Sequence, residues 1–276
     1  MSTKERLLAV FAHPDDESFT CGGTLALARQ QGVEVAVVSA TRGEVGEIAD
    51  GVDATPATLG KVREAELRSA MLELGIEDVR FIGYRDSGIA GTADNDHPDA
   101  LAKESTEKLA EKIVDIFDEF SPTVVVTFDH EGIYRHPDHI AVHHGVMSAV
   151  QIVDLDQKHH RPNWLSFAVF PREFFLEVWN RPGNPFEEMP YGQLITMGTP
   201  RNEITHINDV SAVKEAKRAA ILAHRSQFGE DGITSQLDDD TAELVLRYEH
   251  FKAFQLPWQL HPAPSEVVTK IFTTTS

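Results

Sequence analysis

Four short apolar runs, at residues 7–12, 35–40, 79–83 and 123–128, alternate with longer stretches of helical spacing at roughly 22–31, 61–74 and 102–120. The runs are rich in Val, Leu and Phe and show no polar alternation, as expected of strands buried on both faces. Strand, helix, strand, helix joins into a parallel sheet through crossover connections, with helices covering both faces. The expected fold is therefore α/β: a doubly wound, Rossmann-like, mostly parallel sheet. Beyond it, residues 140–150 continue a helix, 166–170 and 203–207 are expected strands, and 213–223 form a helix ending at His224. Residues 180–190, with three prolines, read as a loop. The tail after Leu256, carrying Pro257, His261, Pro262 and Pro264, is expected to wrap the surface. At 276 residues the chain suits a single domain, with 1–150 as the parallel core and 151–276 completing it.

Every expected strand ends in polar residues: His13 after the first, Thr41-Arg42-Gly43-Glu44 after the second, Tyr84-Arg85-Asp86 after the third, and Asp129-His130 after the fourth. Open α/β sheets bind ligands outside the carboxyl ends of their strands, so these ends point to one pocket. A dinucleotide-binding chain would carry G-x-G-x-x-G after the first strand. This one has Ala12-His13-Pro14-Asp15-Asp16-Glu17 there, and Gly22-Gly23 only later. A tight turn at Pro14 lets His13 and Asp16 face a common point, a donor pair suited to Zn2+, with Asp15 between them as a base. Helix capping by the acidic triplet is the competing account. Tyr134-Arg135-His136-Pro137-Asp138-His139 repeats the His-Pro-Asp chemistry after the fourth strand, supplying a third ligand, a second histidine and another carboxylate. Helix caps alone would not need two histidines followed by proline.

Charge narrows the partners. With 44 acidic and 25 basic residues the formal charge is −19, a surface that repels nucleic acid and anionic membranes. Cys21 is the single cysteine, which excludes an intrachain disulfide. The first apolar run is too short for a signal-peptide core, and nothing approaches the ~20 apolar residues of a membrane helix. These features lead to the expectation of a cytoplasmic protein acting on a small molecule, with a homo-oligomer possible.

His13-Pro14-Asp15-Asp16 together with His136-Pro137-Asp138-His139 resembles the PIG-L/LmbE family of zinc-dependent N-deacetylases. The likeness extends to Thr41-Arg42-Gly43-Glu44, to Arg63-Glu64-Ala65-Glu66-Leu67 and to Ala223-His224-Arg225-Ser226-Gln227. The stretch Arg85-Asp86-Ser87-Gly88-Ile89-Ala90-Gly91-Thr92 is most similar to members of the mycothiol/bacillithiol-pathway type. The resemblance implies a hydrolase removing an acetyl group from an N-acetylglucosamine-containing small molecule; the alternative is an amidase on a mycothiol-like conjugate. It implies His13, Asp16 and His139 as ligands of Zn2+, with Fe2+ an acceptable substitute. Asp15 matches the general base, and His136 the histidine that stabilises the oxyanion and protonates the leaving amine. Tyr134 matches a tyrosine polarising the carbonyl, and Asp138 is expected to orient His136. Arg63 and Asp86 match positions that hold sugar or linked-group hydroxyls, and Arg42 and Glu44 are expected beside them. A non-haem iron oxygenase would share the two-histidine, one-carboxylate set, but the Asp15/His136 acid–base pair fits hydrolysis better. Arg135 stands where the family pattern leads one to expect glycine. His143, four residues after His139, is assigned to packing, Cys21 to the core, and His159-His160 to the surface.

Overall fold

A computed structural model of the chain describes residues 5–179, 191–229, 239–259 and 272. The expected loop at 180–190 and the tail residues His261, Pro262 and Pro264 lie outside these. The strands are β1 (Arg6–Phe11), β2 (Glu34–Ser39), β3 (Asp78–Phe81), β4 (Val124–Phe128), β5 (Trp164–Val169), β6 (His206–Asp209) and β7 (Tyr248–Phe254). The helices are α1 (Asp16–Gln30), α2 (Leu59–Glu73), α3 (Thr106–Phe120), the short α4 (Gly132–Arg135), α5 (Pro137–Leu155), α6 (Arg172–Trp179), α7 (Tyr191–Leu194), α8 (Lys214–Ala223), α9 (Arg225–Phe228) and α10 (Asp239–Arg247). No helix among the described residues is long and apolar enough to cross a membrane.

One seven-stranded sheet runs β3-β2-β1-β4-β5-β7-β6. The pairings from β3 to β5 are parallel, whereas β7 pairs antiparallel with both β5 and β6. The fold is the expected flanked α/β sheet, with an antiparallel edge added. From β1 the chain moves outward to β2 and β3, then returns to β4 on the other side of β1. The carboxyl ends of β1 and β4 therefore flank the point where strand order reverses, the usual crevice of such sheets.

The central strands are buried without interruption, from Leu7 to Phe11 and from Val124 to Phe128. Each fully buried Leu, Val or Phe contributes about 1.5–3 kcal/mol of transfer free energy, and this holds the sheet beneath the site. Helix α3 starts at Thr106 rather than near 102 because the Ser105 hydroxyl accepts the Lys108 N–H at 3.3 Å, a side-chain N-cap. Its buried face, Leu109, Ile113, Val114, Phe117 and Phe120, packs on α5. The approach is close: a Cβ on Gly145 of α5 would fall 2.7 Å from the Leu109 side chain. Helices α1, α2 and α8 pack together as a second group. Strand β6 lies slightly beyond the expected 203–207 because Arg201–Glu203 forms a 3-10 turn.

Burial within this sheet has a consequence for stability. His250 on β7 is pushed down to about 4 by burial and by the neighbouring positive charges of Arg201 and Lys217. The unfolded histidine binds its proton near pH 6.5, so between pH 6.5 and about 4 the unfolded chain holds a proton that the native one refuses. Stability is therefore lost as pH falls through that window. Urea unfolding at pH 7 and pH 5 is expected to show that drop, and His250→Gln to shrink it by roughly 2 kcal/mol. An equal drop in wild type and variant would remove His250 as a contributor.

Candidate metal centre and active site

Just past β1 the chain makes a tight, strained turn. Asp15 sits at φ 123°, in the region that side chains rarely occupy, and its carbonyl starts α1 by accepting from the N–H groups of Ser18 (3.0 Å) and Phe19 (3.2 Å). Asp16 folds back so that its carboxylate accepts the His13 N–H at 2.7 Å. This brings Asp16 Oδ2 to 3.5 Å from His13 Nδ1. After β4, the turn at Gly132 and the helix α5 bring in His139, whose Nε2 lies 3.2 Å from both Asp16 Oδ1 and His13 Nδ1.

The far side of each imidazole is already committed. His139 Nδ1 faces the Gly132 carbonyl at 3.1 Å, and since a carbonyl can only accept, that nitrogen carries the proton. Its ring also stacks on Phe128 at 4.0 Å. His13 Nε2 faces the Asp138 carboxylate at 3.0 Å and Asp86 Oδ1 at 3.4 Å, so its proton lies there. Neutral rings fixed this way turn the lone pairs of His13 Nδ1 and His139 Nε2 toward each other and toward the Asp16 oxygens. Such a set of acceptors, all buried, is unfavourable without a cation among them. Zinc bonds of about 2.0–2.1 Å at tetrahedral angles place donors about 3.3–3.4 Å apart, close to the separations here. The donor set fits a divalent metal. A proton on Nδ1 is the cation that competes with a metal there: burial disfavours charge on His13, yet Asp86, Asp138 and Asp16 reverse this and hold the ring's proton affinity well above normal. Burial likewise opposes the Asp16 charge, and His139 and His13 hold its carboxyl well below the usual range.

Two further groups of three donors lie within 4.8 Å of one another: His13, His136 and His139; and His13, Asp86 and Asp138. The second is the hydrogen-bonding shell on the far side of His13. In the first, His136 is committed on one nitrogen: as the N-cap of α5 its Nδ1 accepts the Asp138 N–H at 3.2 Å. Burial, reinforced by His13 and His139, pushes His136 down to about 2, so it stays neutral with its proton on Nε2. The sequence reading made Asp138 the partner of His136. Its carboxylate turns instead to His13 through Oδ2, which also accepts the Ser87 N–H at 2.9 Å, while Oδ1 accepts the Ser87 hydroxyl. His136 Nδ1 accepts the Asp138 backbone N–H, so it has no proton to offer the Asp138 carboxylate.

Asp15 Oδ2 meets Arg63 Nη2 at 3.1 Å. Burial raises the Asp15 carboxyl to about 6, with Arg63 opposing. The buried Arg63 guanidinium also donates to the carbonyls of Pro14 (2.7 Å) and Gly43 (2.9 Å). Asp86 is buried too; its oxygens accept from the N–H groups of Gly88 (2.8 Å) and Val45 (3.3 Å). Burial opposes its charge, but His13 holds its carboxyl well below the usual range. Both residues thus reach the His13 turn, where they tie loops together. Tyr134, 40% exposed, places its ring 5.1 Å from His139 and 5.9 Å from His136. Arg42 turns to Glu64 (2.8 Å) and lies over Phe81, while Glu44 accepts the Arg42 backbone N–H at 3.2 Å. Among the described residues neither makes a polar contact with His13, Asp16 or His139.

The turn carrying Tyr134 is strained: Gly132, Ile133 and Arg135 have φ of 56°, 64° and 67°. Arg135 occupies a left-handed position, which explains why glycine was expected there, and its guanidinium pairs with Glu131 at 2.7 Å. At Gly132 a Cβ would fall 2.8 Å from the His139 Cβ. Gly132→Ala is expected to displace the carbonyl that orients His139 and to weaken metal affinity about 10–100-fold, read by competition with a chelator. Unchanged affinity would show that the carbonyl is not needed. Ser87, Gly132, Glu17 and His224 are the residues that sequence reasoning did not assign. Ser87 and Glu17 lay inside motifs already noted; Gly132 had only its position before Tyr134 as a signal. His143 Nδ1 donates to the Phe128 carbonyl at 3.0 Å, a packing role.

The chain is thus an open α/β sheet with a His/Asp donor cluster, able to hold a metal, at its switch point. The family model described as PIG-L, GlcNAc-PI de-N-acetylase, matches residues 8–150, and the chain belongs to that family. It is 37% identical to a 1D-myo-inositol 2-acetamido-2-deoxy-alpha-D-glucopyranoside deacetylase of Actinosynnema mirum, over 91% of this chain and 92% of the relative. The protein of the same name from Streptomyces griseus is 35% identical, with 90% and 82% covered. In fold the chain is similar to the N,N'-diacetylchitobiose deacetylase from Pyrococcus horikoshii, with a TM-score of 0.64 at 20% identity, covering 94% of this chain and 87% of that one.

Proposed function

We propose that the chain is a metal-dependent N-deacetylase that hydrolyses the acetamide of an N-acetylglucosamine-containing small molecule to acetate and a free amine. The observation that carries this reading is the convergence of lone pairs from His13, His139 and Asp16, next to a carboxyl, Asp15, that is not spent on the cluster. His13, Asp16 and His139 would hold the ion, Zn2+ or Fe2+. When bound, such an ion polarises the amide carbonyl and acidifies water.

The chain's own residues supply the remaining chemistry. Asp15 takes the proton from the attacking water and returns it to the departing nitrogen. Arg63 holds the Asp15 carboxylate in place. His136, neutral and donating from Nε2, stabilises the charge that develops on the carbonyl oxygen. The Asp138 N–H blocks its Nδ1, which speaks against His136 as the proton source for the amine and leaves that step to Asp15. Tyr134 stands at the exposed edge and donates to the same oxygen. Asp138, with Ser87, keeps the His13 ring turned toward the donor cluster. Arg63 and Asp86 shape the sugar-facing wall, and Arg42 and Glu44 remain the contacts for the group linked to the sugar.

Mass spectrometry of the metal-loaded protein with a panel of N-acetylglucosaminides differing only in the aglycone tests the reading. Loss of one acetyl group from at least one member, with release of acetate, is expected. Intact substrates across the panel would rule out the amino-sugar assignment.

A further inference from the structure

A second buried polar cluster stands behind the metal donors. Glu17 and Ser18, in the first turn of α1, and His224, at the junction of α8 and α9, are each at most 1% exposed. Glu17 Oε1 accepts the Ser18 hydroxyl at 2.6 Å and lies 3.3 Å from His224 Nε2. Ser18 Oγ lies 3.2 Å from the same nitrogen. Because the Ser18 hydroxyl donates to Glu17, its oxygen is left to accept, so His224 carries its proton on Nε2 and shares it between Ser18 and Glu17. The other carboxylate oxygen of Glu17 accepts the backbone N–H of Asp15 at 3.2 Å.

That last contact is the informative one. Asp15 holds a backbone conformation, φ 123°, that a non-glycine residue keeps only when its surroundings impose it. Its carbonyl is used by the start of α1 and its side chain by Arg63, and Glu17 clamps its N–H. We propose that Glu17 is a positioning residue for Asp15. Ser18 and His224 fix the Glu17 carboxylate, and the carboxylate fixes the strained backbone that aims Asp15. The inference rests on the reading of Asp15 as general base. It also gives the chain beyond residue 150, outside the segment matched by the family model, a part in the reaction through His224.

A double-mutant cycle on the full-length, metal-loaded protein tests this. Glu17→Ala is expected to lower kcat about 10–100-fold while KM and bound metal stay within about twofold of wild type, as for loss of a residue that supports a reacting group. Glu17→Gln keeps an acceptor oxygen for the Asp15 N–H and is expected to recover much of the loss. In an Asp15→Ala background, Glu17→Ala is expected to cost less than about twofold more, because what it positions is gone. A thermal melt accompanies each variant. If Glu17→Ala unfolds at the assay temperature, Ser18→Ala and His224→Gln, which loosen Glu17 without removing it, carry the same cycle. An equal loss in both backgrounds, or wild-type kcat in a folded Glu17→Ala, overturns the inference. Wild-type turnover in Asp15→Ala alone would instead overturn the general-base reading on which it rests.

Discussion

Asp15→Ala is expected to keep its metal and to lose about 10²–10⁴-fold or more in kcat, the usual contribution of a positioned general base. The two halves of this expectation come from different contacts. The donor cluster consists of His13, Asp16 and His139, and Asp15 is turned away from it toward Arg63. Removing the Asp15 carboxylate therefore leaves the ligands in place. On the proposal above it removes the group that takes the proton from water and returns it to the amine. On the same proposal His136 does not take over as acid, since its Nδ1 accepts the Asp138 N–H. Metal analysis beside steady-state kinetics checks both halves. Metal lost together with activity would mean that Asp15 is a ligand; near wild-type turnover would mean that proton transfer does not pass through it.

The other large effect concerns His139. His139→Ala removes one donor and leaves His13 Nδ1 and Asp16 without the third corner of the cluster. Bound metal is expected to fall to a small fraction of one equivalent, and turnover with it. Loss of one ligand removes more than the 10–100-fold seen for residues that only support ligands, so the deficit should exceed that of Gly132→Ala. Because Phe128 stacks on the His139 ring, the alanine also leaves a cavity beside β4, so a melt is needed to separate folding from binding. Full metal occupancy in a folded His139→Ala would exclude the donor set.

How much of this was visible in the sequence differs by element. The inner parallel strands were legible because both faces are buried, which leaves runs such as Val124–Phe128 without a polar interruption. Strand β7 was not, because its buried positions include Glu249. That carboxylate is satisfied by the N–H groups of Gly23 and Thr24 and by Lys217, contacts spanning more than 200 residues for the first two. No local pattern announces such a partner. The two His-Pro-Asp motifs marked the site because tight turns at neighbouring strand ends have few uses for histidine. Their internal wiring was less legible. Sequence adjacency linked Asp138 to His136, whereas the N-cap geometry of α5 sends the carboxylate to His13. Arg63 and Asp86 were read as substrate contacts, and the structure shows them buried and bonded to loop backbone. Arg135 broke an expectation of glycine, and its φ of 67° shows that the backbone there still adopts the conformation glycine favours.

The central claim is that a metal held by His13, Asp16 and His139 is required for amide hydrolysis by this chain. The most direct test follows acetate release from an N-acetylglucosaminide by one preparation in three states: as purified, after chelation and dialysis, and after one equivalent of Zn2+ or Fe2+ is restored. Release that disappears on chelation and returns at one equivalent is the predicted result. Release that persists undiminished in protein shown by elemental analysis to be free of metal would contradict it.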